Sequence, residues 1–549
     1  MFAKARYLTI VWMLLAGLSA CSVPDIAEGD LEVMSGPAPA DATTATVRFV
    51  MEEPSTAVVT AVDESGHGTR VTSPELDAGN AEVTVFGLDP GTEYTVSVEI
   101  PGRTGKTTLR TGELPEDLPP ITVTSDPSQM EPGLTLFDAI PLGAGTGDNA
   151  TDDGYLIAVD ADGRIVWYYR QTHSIQDVRR TATGELLFIN FETGAKLLDP
   201  STGAVVEWAG TTALETAPRD SHGRPYAGTA AISVETDQMH HEIIELPNGN
   251  YMTLSRELRR IEGYPEAICE GDEFDGSYNV GADTIVEFDP ATGQTISEWS
   301  LFDFVDPLDE LDLVVPAEFC GGYLERVYPD EDARDWTHAN AVILDEPGNA
   351  VLVSVRHLDQ IVAIRYADDE AGDAGELLWR LGRGGDFALE EGEWFLHQHS
   401  PQLLPDGSIL LYDNGNQRPG TSLTDPQNLP YSRAARYTVD VDTMTATQVW
   451  EHRLDTPDMA VYAPFVGDAD HLAGGNVLIT HGGQLDPPAH SPQAEGVLGW
   501  GEIIEVAPDT GDVLFDLHMK DATRSQGWVI YRAERIPSLY PTGYVVEQV

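Results

Sequence analysis

Three histidines stand at matching distances ahead of three similar turns. His241 lies eight residues before Gly249, His399 eight before Gly407, and His338 some nine before Pro347. Residues at equal distance from a hairpin turn lie at the same level of their sheets, so repeated hairpins that converge bring these imidazoles together. Arg356, some eight residues beyond the Pro347-Gly348 turn, falls opposite His338, and Asn340 is two positions along the strand from it, on the same face. Neutral imidazoles from several strands can hold a metal, but Arg356 would repel a cation and no carboxylate shares the register. The planar fork of arginine suits an oxyanion such as sulfate or phosphate. A histidine can then take up a transferred group while its neighbours neutralise charge and move protons. The set therefore reads as group-transfer chemistry without a metal, whereas His240 and His397, adjacent to it, read as structural.

The elements that position these residues are hairpins. An apolar run, a turn and a second apolar run recur at Pro247-Asn-Gly, Pro347-Gly-Asn, Pro405-Asp-Gly and Gly474-Gly-Asn, with a weaker relative at Thr183-Gly-Glu. After most copies comes an outer hairpin that ends on an aromatic residue: Trp208, Trp299, Trp379, Trp450 or Phe515. Two hairpins make one four-stranded sheet, and five complete units follow. A sixth assembles from the two ends, with Tyr155–Trp167 supplying the outer strands and Trp528–Tyr540 completing them, so that no edge is left exposed. The predicted fold is all-β: a six-bladed β-propeller over residues 131–549, preceded by a small fibronectin III-like β-sandwich over 31–112. In the sandwich, alternating strands surround Gly87-Leu-Asp-Pro-Gly-Thr-Glu-Tyr94, which resembles a tyrosine corner. The Pro- and acid-rich stretch 113–130 reads as a linker.

Residues 1–20 read as a targeting segment: Lys4 and Arg6, an apolar run from Tyr7 to Leu18, and small residues before Cys21. This resembles a bacterial lipoprotein signal, which implies cleavage before Cys21, lipid attachment to its thiol and a short tether over 21–30. Ser22 in place of aspartate implies, by the same resemblance, sorting to the outer membrane of a Gram-negative bacterium. The two remaining cysteines, Cys269 and Cys320, are expected to form a disulfide in an exported protein. With 91 acidic against 31 basic residues and a formal charge of −60, nucleic acid is excluded as a partner. The membrane is expected to be met only through the lipid.

The order His240-His-Glu-Ile with Leu246-Pro-Asn-Gly-Asn, His338-Ala-Asn with Arg356, Gln398-His399 with Leu404-Pro-Asp-Gly and Tyr412-Asp-Asn-Gly, Gly474-Gly-Asn-Val-Leu and Tyr531-Arg-Ala-Glu-Arg-Ile resembles bacterial arylsulfate sulfotransferases. The resemblance covers roughly residues 130 to 549. It implies a six-bladed propeller that uses no nucleotide cofactor and moves a sulfo group from a phenolic sulfate ester to a phenol through a sulfohistidine. Carried over, His399 after Gln398 is the nucleophile, while His338, Asn340 and Arg356 hold the sulfuryl oxygens. His241 completes the pocket as acid or base for the phenolic oxygen, and Thr480 and Tyr531 line it. His481 is a further candidate. The competing reading is a lipid-anchored propeller that binds sulfated or other anionic ligands without turnover. A metal- or quinone-dependent oxidoreductase lacks the carboxylate-rich ligands it needs. Small phenols and their sulfates are the expected partners, and the oligomeric state is left open.

Overall fold

The computed structural model describes residues 34–549 apart from 38–41, 143–153, 172–173, 191–193, 212–229, 265–276, 309–327, 329–332, 426, 457–458 and 491–495. Cys21, Cys269 and Cys320 lie outside the described residues, as does the targeting segment. Secondary structure among the described residues is β throughout, relieved by short 3-10 turns such as Leu301–Asp303 and Arg356–Leu358. None of their helices is long and apolar enough to cross a membrane.

The N-terminal module is a two-sheet sandwich. Met34–Pro37, Thr44–Met51 and Gly79–Phe86 form one sheet, and Val58–Val62, Gly68–Thr72, Glu93–Ile100 and Arg103–Arg110 the other. Their inward alternation buries Val47, Phe49, Val59, Val83, Val96 and Val98 between the sheets. The tyrosine corner is present: the Asp89 backbone N–H donates to Tyr94 Oη at 2.8 Å.

Beside a small two-stranded pair, Asp455–Thr456 with Met459–Ala460, the rest of the described residues form six antiparallel-based sheets in chain order. Sheet I contains Leu134–Pro141, Gly154–Val159 and Ile165–Gln171, and its inner edge is completed by Trp528–Val529 and Ala533–Ile536. The C-terminal strands thus pair where the sequence places them. Sheets II to V begin at Ile175–Arg180, His240–Glu245, Ala339–Asp345 and His399–Leu403. Sheet VI begins at Asp468–His471. In sheets II to VI the first strand joins the second through one of the Gly-containing turns of the repeat.

Two boundaries move. Ile121–Ser125, inside the stretch expected to be a linker, is the outer strand of sheet VI and pairs with Val513–Met519. Its alternation of Ile121 and Val123 with threonines is strand chemistry, which the flanking prolines and acids obscured. Val545–Gln548, expected to belong with the repeats, instead adds to the sandwich beside Gly68–Thr72. The sandwich also meets the repeats through Phe86 and Tyr540, whose rings pack edge to face at 4.8 Å.

The first strands of sheets II to V share one irregularity. The ladder to the second strand slips between Gln176 and Val178, His240 and Ile243, Ala339 and Ala341, and His399 and Gln402. Asp177, His241 and Ser400 at these bulges have φ of 50°, 61° and 48°. A bulge re-aims side chains that simple alternation would send into a sheet face.

Candidate active site

The first strands of sheets III, IV and V bring His241, His338, Asn340 and His399 into one buried cluster. His338 and Arg356 meet as their hairpin register requires: Ala339 pairs with Val355, and the Arg356 backbone N–H donates to His338 O at 3.3 Å. The strand then breaks into the 3-10 turn, so the Arg356 side chain leaves the sheet and donates from Nη2 to Pro464 O at 3.0 Å. His241 and His338 stand edge to face at 5.0 Å between ring centroids. Tyr531, from the C-terminal segment, lies 6.1 Å from His241 and 6.5 Å from His399 and so spans the two. Asn340 donates from Nδ2 to Gln398 O at 2.8 Å, which ties sheet IV to the peptide just before His399.

The expectation that Asn340 simply shares the face of His338 needs amending. His338 has a φ of 47° and Asn340 sits in the bulge, so period-two alternation fails between them. Thr480 is less central. Its buried Oγ1 lacks a hydrogen-bond partner among the described residues, and it pairs with Asp468 at the start of sheet VI. His481 packs against Tyr412, bonded to its hydroxyl through Nδ1 at 2.8 Å, and burial lowers its pKa to about 3.

Each imidazole has its own support. His399 Nδ1 meets Asn414 Oδ1 at 2.7 Å. His241 Nδ1 meets His240 Nδ1 at 2.7 Å, and His240 Nε2 meets the Ser255 carbonyl at 3.0 Å. A carbonyl can only accept, so His240 donates from Nε2, which also faces the buried Asp283 Oδ1 at 3.3 Å, and its Nδ1 is left to hold His241. His240 is therefore structural in the sense the sequence suggests, by orienting its neighbour. His338 Nδ1 is hydrogen-bonded to the Asp335 carboxylate.

That carboxylate corrects the sequence reading, which found none in register. Asp335 reaches the site from the short strand Ala333–Asp335, which runs parallel to Ser277–Phe288 and belongs to no hairpin of the repeat. Burial pushes its carboxyl up, but His338, then Arg256 and His357, hold it well below the usual carboxylate range. Burial lowers His399 well below the ordinary imidazole value, and Arg356, His338 and Arg532 add to this against the Asn414 hydrogen bond. His241 is likewise held low, by burial and then by His240, His338, Arg256 and His399.

Among the described residues, Asp335, His338 and His357 could place ligand atoms within 4.8 Å of one another, as could Glu502, Asp516 and His518. The first group faces the charges of Arg256 and Arg356. In the second, His518 already pairs with both carboxylates, at 3.4 Å and 3.0 Å. Neither donor set favours a cation over the pairing it has. The cationic and hydrogen-bonding lining suits a small anion beside a neutral imidazole nucleophile.

A family model described as arylsulfotransferase (ASST) matches residues 121–532. The chain belongs to this family. Residues 32–114 match the arylsulfotransferase Ig-like domain, in agreement with the sandwich. As an arylsulfotransferase, the protein is a sulfotransferase enzyme whose substrates are phenolic in general class. The match begins at Ile121, the strand that closes the outer side of sheet VI. No curated protein matches the chain. Among solved structures, a putative 6-phosphogluconolactonase from Bacteroides uniformis is 10% identical with a TM-score of 0.31, covering 76% of this arylsulfotransferase and 99% of that chain. The Pseudomonas aeruginosa periplasmic gluconolactonase PpgL is 11% identical with a TM-score of 0.30, over 75% and 99% of the two chains. A Synechocystis apocarotenoid oxygenase mutant is 13% identical with a TM-score of 0.29, over 79% and 97%. Similarity at these scores establishes no shared fold.

Asn414, Asp335, His240 and Arg532 are the supporting residues that hairpin register could not single out. Asn414, His240 and Arg532 stand in the quoted segments Tyr412-Asp-Asn-Gly, His240-His-Glu-Ile and Tyr531-Arg-Ala, whereas Asp335 carried no signal.

Proposed function

We propose that this arylsulfotransferase moves a sulfo group from a phenolic sulfate ester to a phenol acceptor by a ping-pong mechanism with a sulfohistidine at His399. The observation that carries this reading is a neutral, buried imidazole beside Arg356 and within one ring contact of Tyr531. His399 attacks sulfur, the nitrogen–sulfur bond forms as the sulfur–oxygen bond breaks, and the aryl oxygen leaves with the bonding pair. Arg356, His338 and Asn340 hold the sulfuryl oxygens, and Tyr531 adds a hydroxyl that burial keeps protonated. In the second half-reaction a phenol gives its proton to His241 and takes the sulfo group. His399 is then free again, and the proton on His241 serves the next leaving phenolate.

The scaffold of this chemistry is a closed six-bladed propeller. The first strand of each sheet contacts the first strand of the next, from Leu134–Pro141 through to Asp468–His471, and Val477–Asp486 meets Ala533–Ile536 of sheet I. The acidic chain is an exported lipoprotein anchored through Cys21 to the outer membrane, with Cys269 and Cys320 joined. These readings are supported by the sequence pattern alone.

The test of the reaction is intact-protein mass spectrometry after mixing the protein with 4-nitrophenyl sulfate and no acceptor, at mildly alkaline pH. One sulfo group is expected on His399, formed with one equivalent of nitrophenol and discharged by added phenol. Nitrophenol release without any adduct would rule out the covalent route.

A pH dependence follows from the same geometry. A free imidazole loses half its nucleophile at about pH 6.5. The His399 pKa is lowered, so protonation sets in well below that value and the nucleophile stays neutral as pH falls through it. Nitrophenolate is a good leaving group and needs no proton. The nitrophenol burst rate is therefore expected to stay level from about pH 8 to about pH 6. Stopped-flow absorbance at the pH-independent wavelength checks this, and a twofold loss near pH 6.5 would contradict it.

A further inference from the structure

We propose that Asn414 is a positioning residue that decides which nitrogen of His399 attacks: it holds the ring as the Nδ1–H tautomer and leaves the lone pair on Nε2. The proposal deepens the reading of His399 as nucleophile and rests on it.

The argument is one of hydrogen-bond accounting. Asn414 is fully buried, and its Nδ2 donates to Ala463 O and to Val466 O, each at 2.8 Å. Both amide hydrogens are thereby used. Turning the amide over would set Oδ1 against two carbonyl oxygens, so its orientation follows from the network. Oδ1 then faces His399 Nδ1 at 2.7 Å and can only accept. The ring nitrogen must supply the hydrogen, and in a neutral imidazole the other nitrogen carries the lone pair.

The surroundings keep that amide in place. The Asn414 carbonyl accepts from Ser432 Oγ at 2.8 Å, and Ser432 Oγ accepts from the Ala463 backbone N–H at 2.9 Å. The next residue, Gly415, has a φ of 74°, and a Cβ there would lie 2.1 Å from Tyr431 O, so the chain leaves Asn414 along one path. The same segment, Ala463 to Val466, supplies the Pro464 carbonyl that holds Arg356. One stretch of backbone therefore sets both the nucleophile and the guanidinium beside it.

An amide differs from a carboxylate here. Aspartate would accept the same Nδ1–H but would also stabilise a second proton on the ring and cost the enzyme its neutral nucleophile. Asparagine fixes the tautomer without that charge. During transfer the Nδ1 hydrogen stays where it is: Nε2 gains the sulfur, the aryl oxygen leaves with its electron pair, and the positive charge developing on the ring strengthens the bond to Asn414 Oδ1.

The first measurement needs no variant at position 414. In protein labelled with ¹⁵N-histidine, the two ring resonances of His399, identified by their loss in His399→Gln, are expected to show a protonated Nδ1 and an unprotonated Nε2 at pH 7.5. The opposite tautomer, or an averaged pair, overturns the proposal. The resting tautomer is read without substrate, so a correct tautomer in a protein that takes no sulfo group faults the nucleophile reading and leaves the tautomer lock standing. Two variants supply the kinetic arm. Asn414→Ala is expected to slow the nitrophenol burst about a hundredfold and to spread the adduct over both ring nitrogens. Asn414→Asp is expected to keep the adduct on Nε2 while its acidic limb moves to higher pH. Equal losses in both variants, with the limb unmoved, mark a merely structural residue and overturn the assignment.

Discussion

Replacing His399 by alanine is expected to lower transfer from 4-nitrophenyl sulfate to phenol by at least about four orders of magnitude and to abolish the nitrophenol burst. The reason is that the variant loses the atom that takes up the group, while His241 and His338 are fixed in place by their contacts with His240 and Asp335. What remains is electrostatic: Arg356 and His338 still stabilise the sulfuryl charge, so a donor still binds and residual turnover over water persists. Arg356→Ala is the informative contrast. It keeps the nucleophile and loses transition-state stabilisation, for which a loss of about 10²- to 10³-fold is expected, with the sulfohistidine still detectable at long times. Single-turnover kinetics with both variants separate the two roles. Transfer by His399→Ala within tenfold of the parent sinks the covalent mechanism.

The skeleton of the site could be read from the sequence because it depends on hairpin register. His241, His338 and His399 precede Gly-containing turns at fixed distances, and such turns fix which residues lie opposite one another. The pairing of Arg356 with His338 followed from the same arithmetic. The completion of sheet I by Trp528–Val529 and Ala533–Ile536 was legible as an outer hairpin without an inner partner. Other features arise where register does not reach. The bulges at Asp177, His241, Asn340 and Ser400 insert residues without changing composition, so the facing of Asn340 was misjudged. Asp335 enters from a strand outside the repeat. The strand Ile121–Ser125 was hidden by its proline- and acid-rich neighbours, and Val545–Gln548 pairs with a module more than four hundred positions earlier in the chain. No local pattern encodes such a pairing.

Arg532→Ala is expected to destabilise the fold by about 3–5 kcal/mol, the cost of leaving buried charge unpaired. Arg532 follows Tyr531 on the C-terminal segment and points into the region where the first strands meet. Its Nη1 pairs with Asp177 at 3.1 Å and with Glu242 at 2.7 Å, while Nη2 donates to Asn340 O at 3.1 Å. One guanidinium thus joins sheet I to sheets II, III and IV. Asp177 and Glu242 are nearly inaccessible to water. Without Arg532 they share only Arg179, which is 37% exposed and so a weaker partner. Nearby carboxyls cannot spread the load, since burial already pushes Asp138 and Glu534 up to about 7. The cost should therefore come from stranded carboxylates, not from lost packing, and this distinction can be measured. Combining Arg532→Met with Asp177→Asn and Glu242→Gln removes the charge along with its partner, and urea unfolding is expected to recover most of the loss seen in Arg532→Ala. If the triple variant is as unstable as the single one, the ion pairs are not what holds the C-terminal segment in place, and the packing of Tyr531 and Ile536 must be doing so instead.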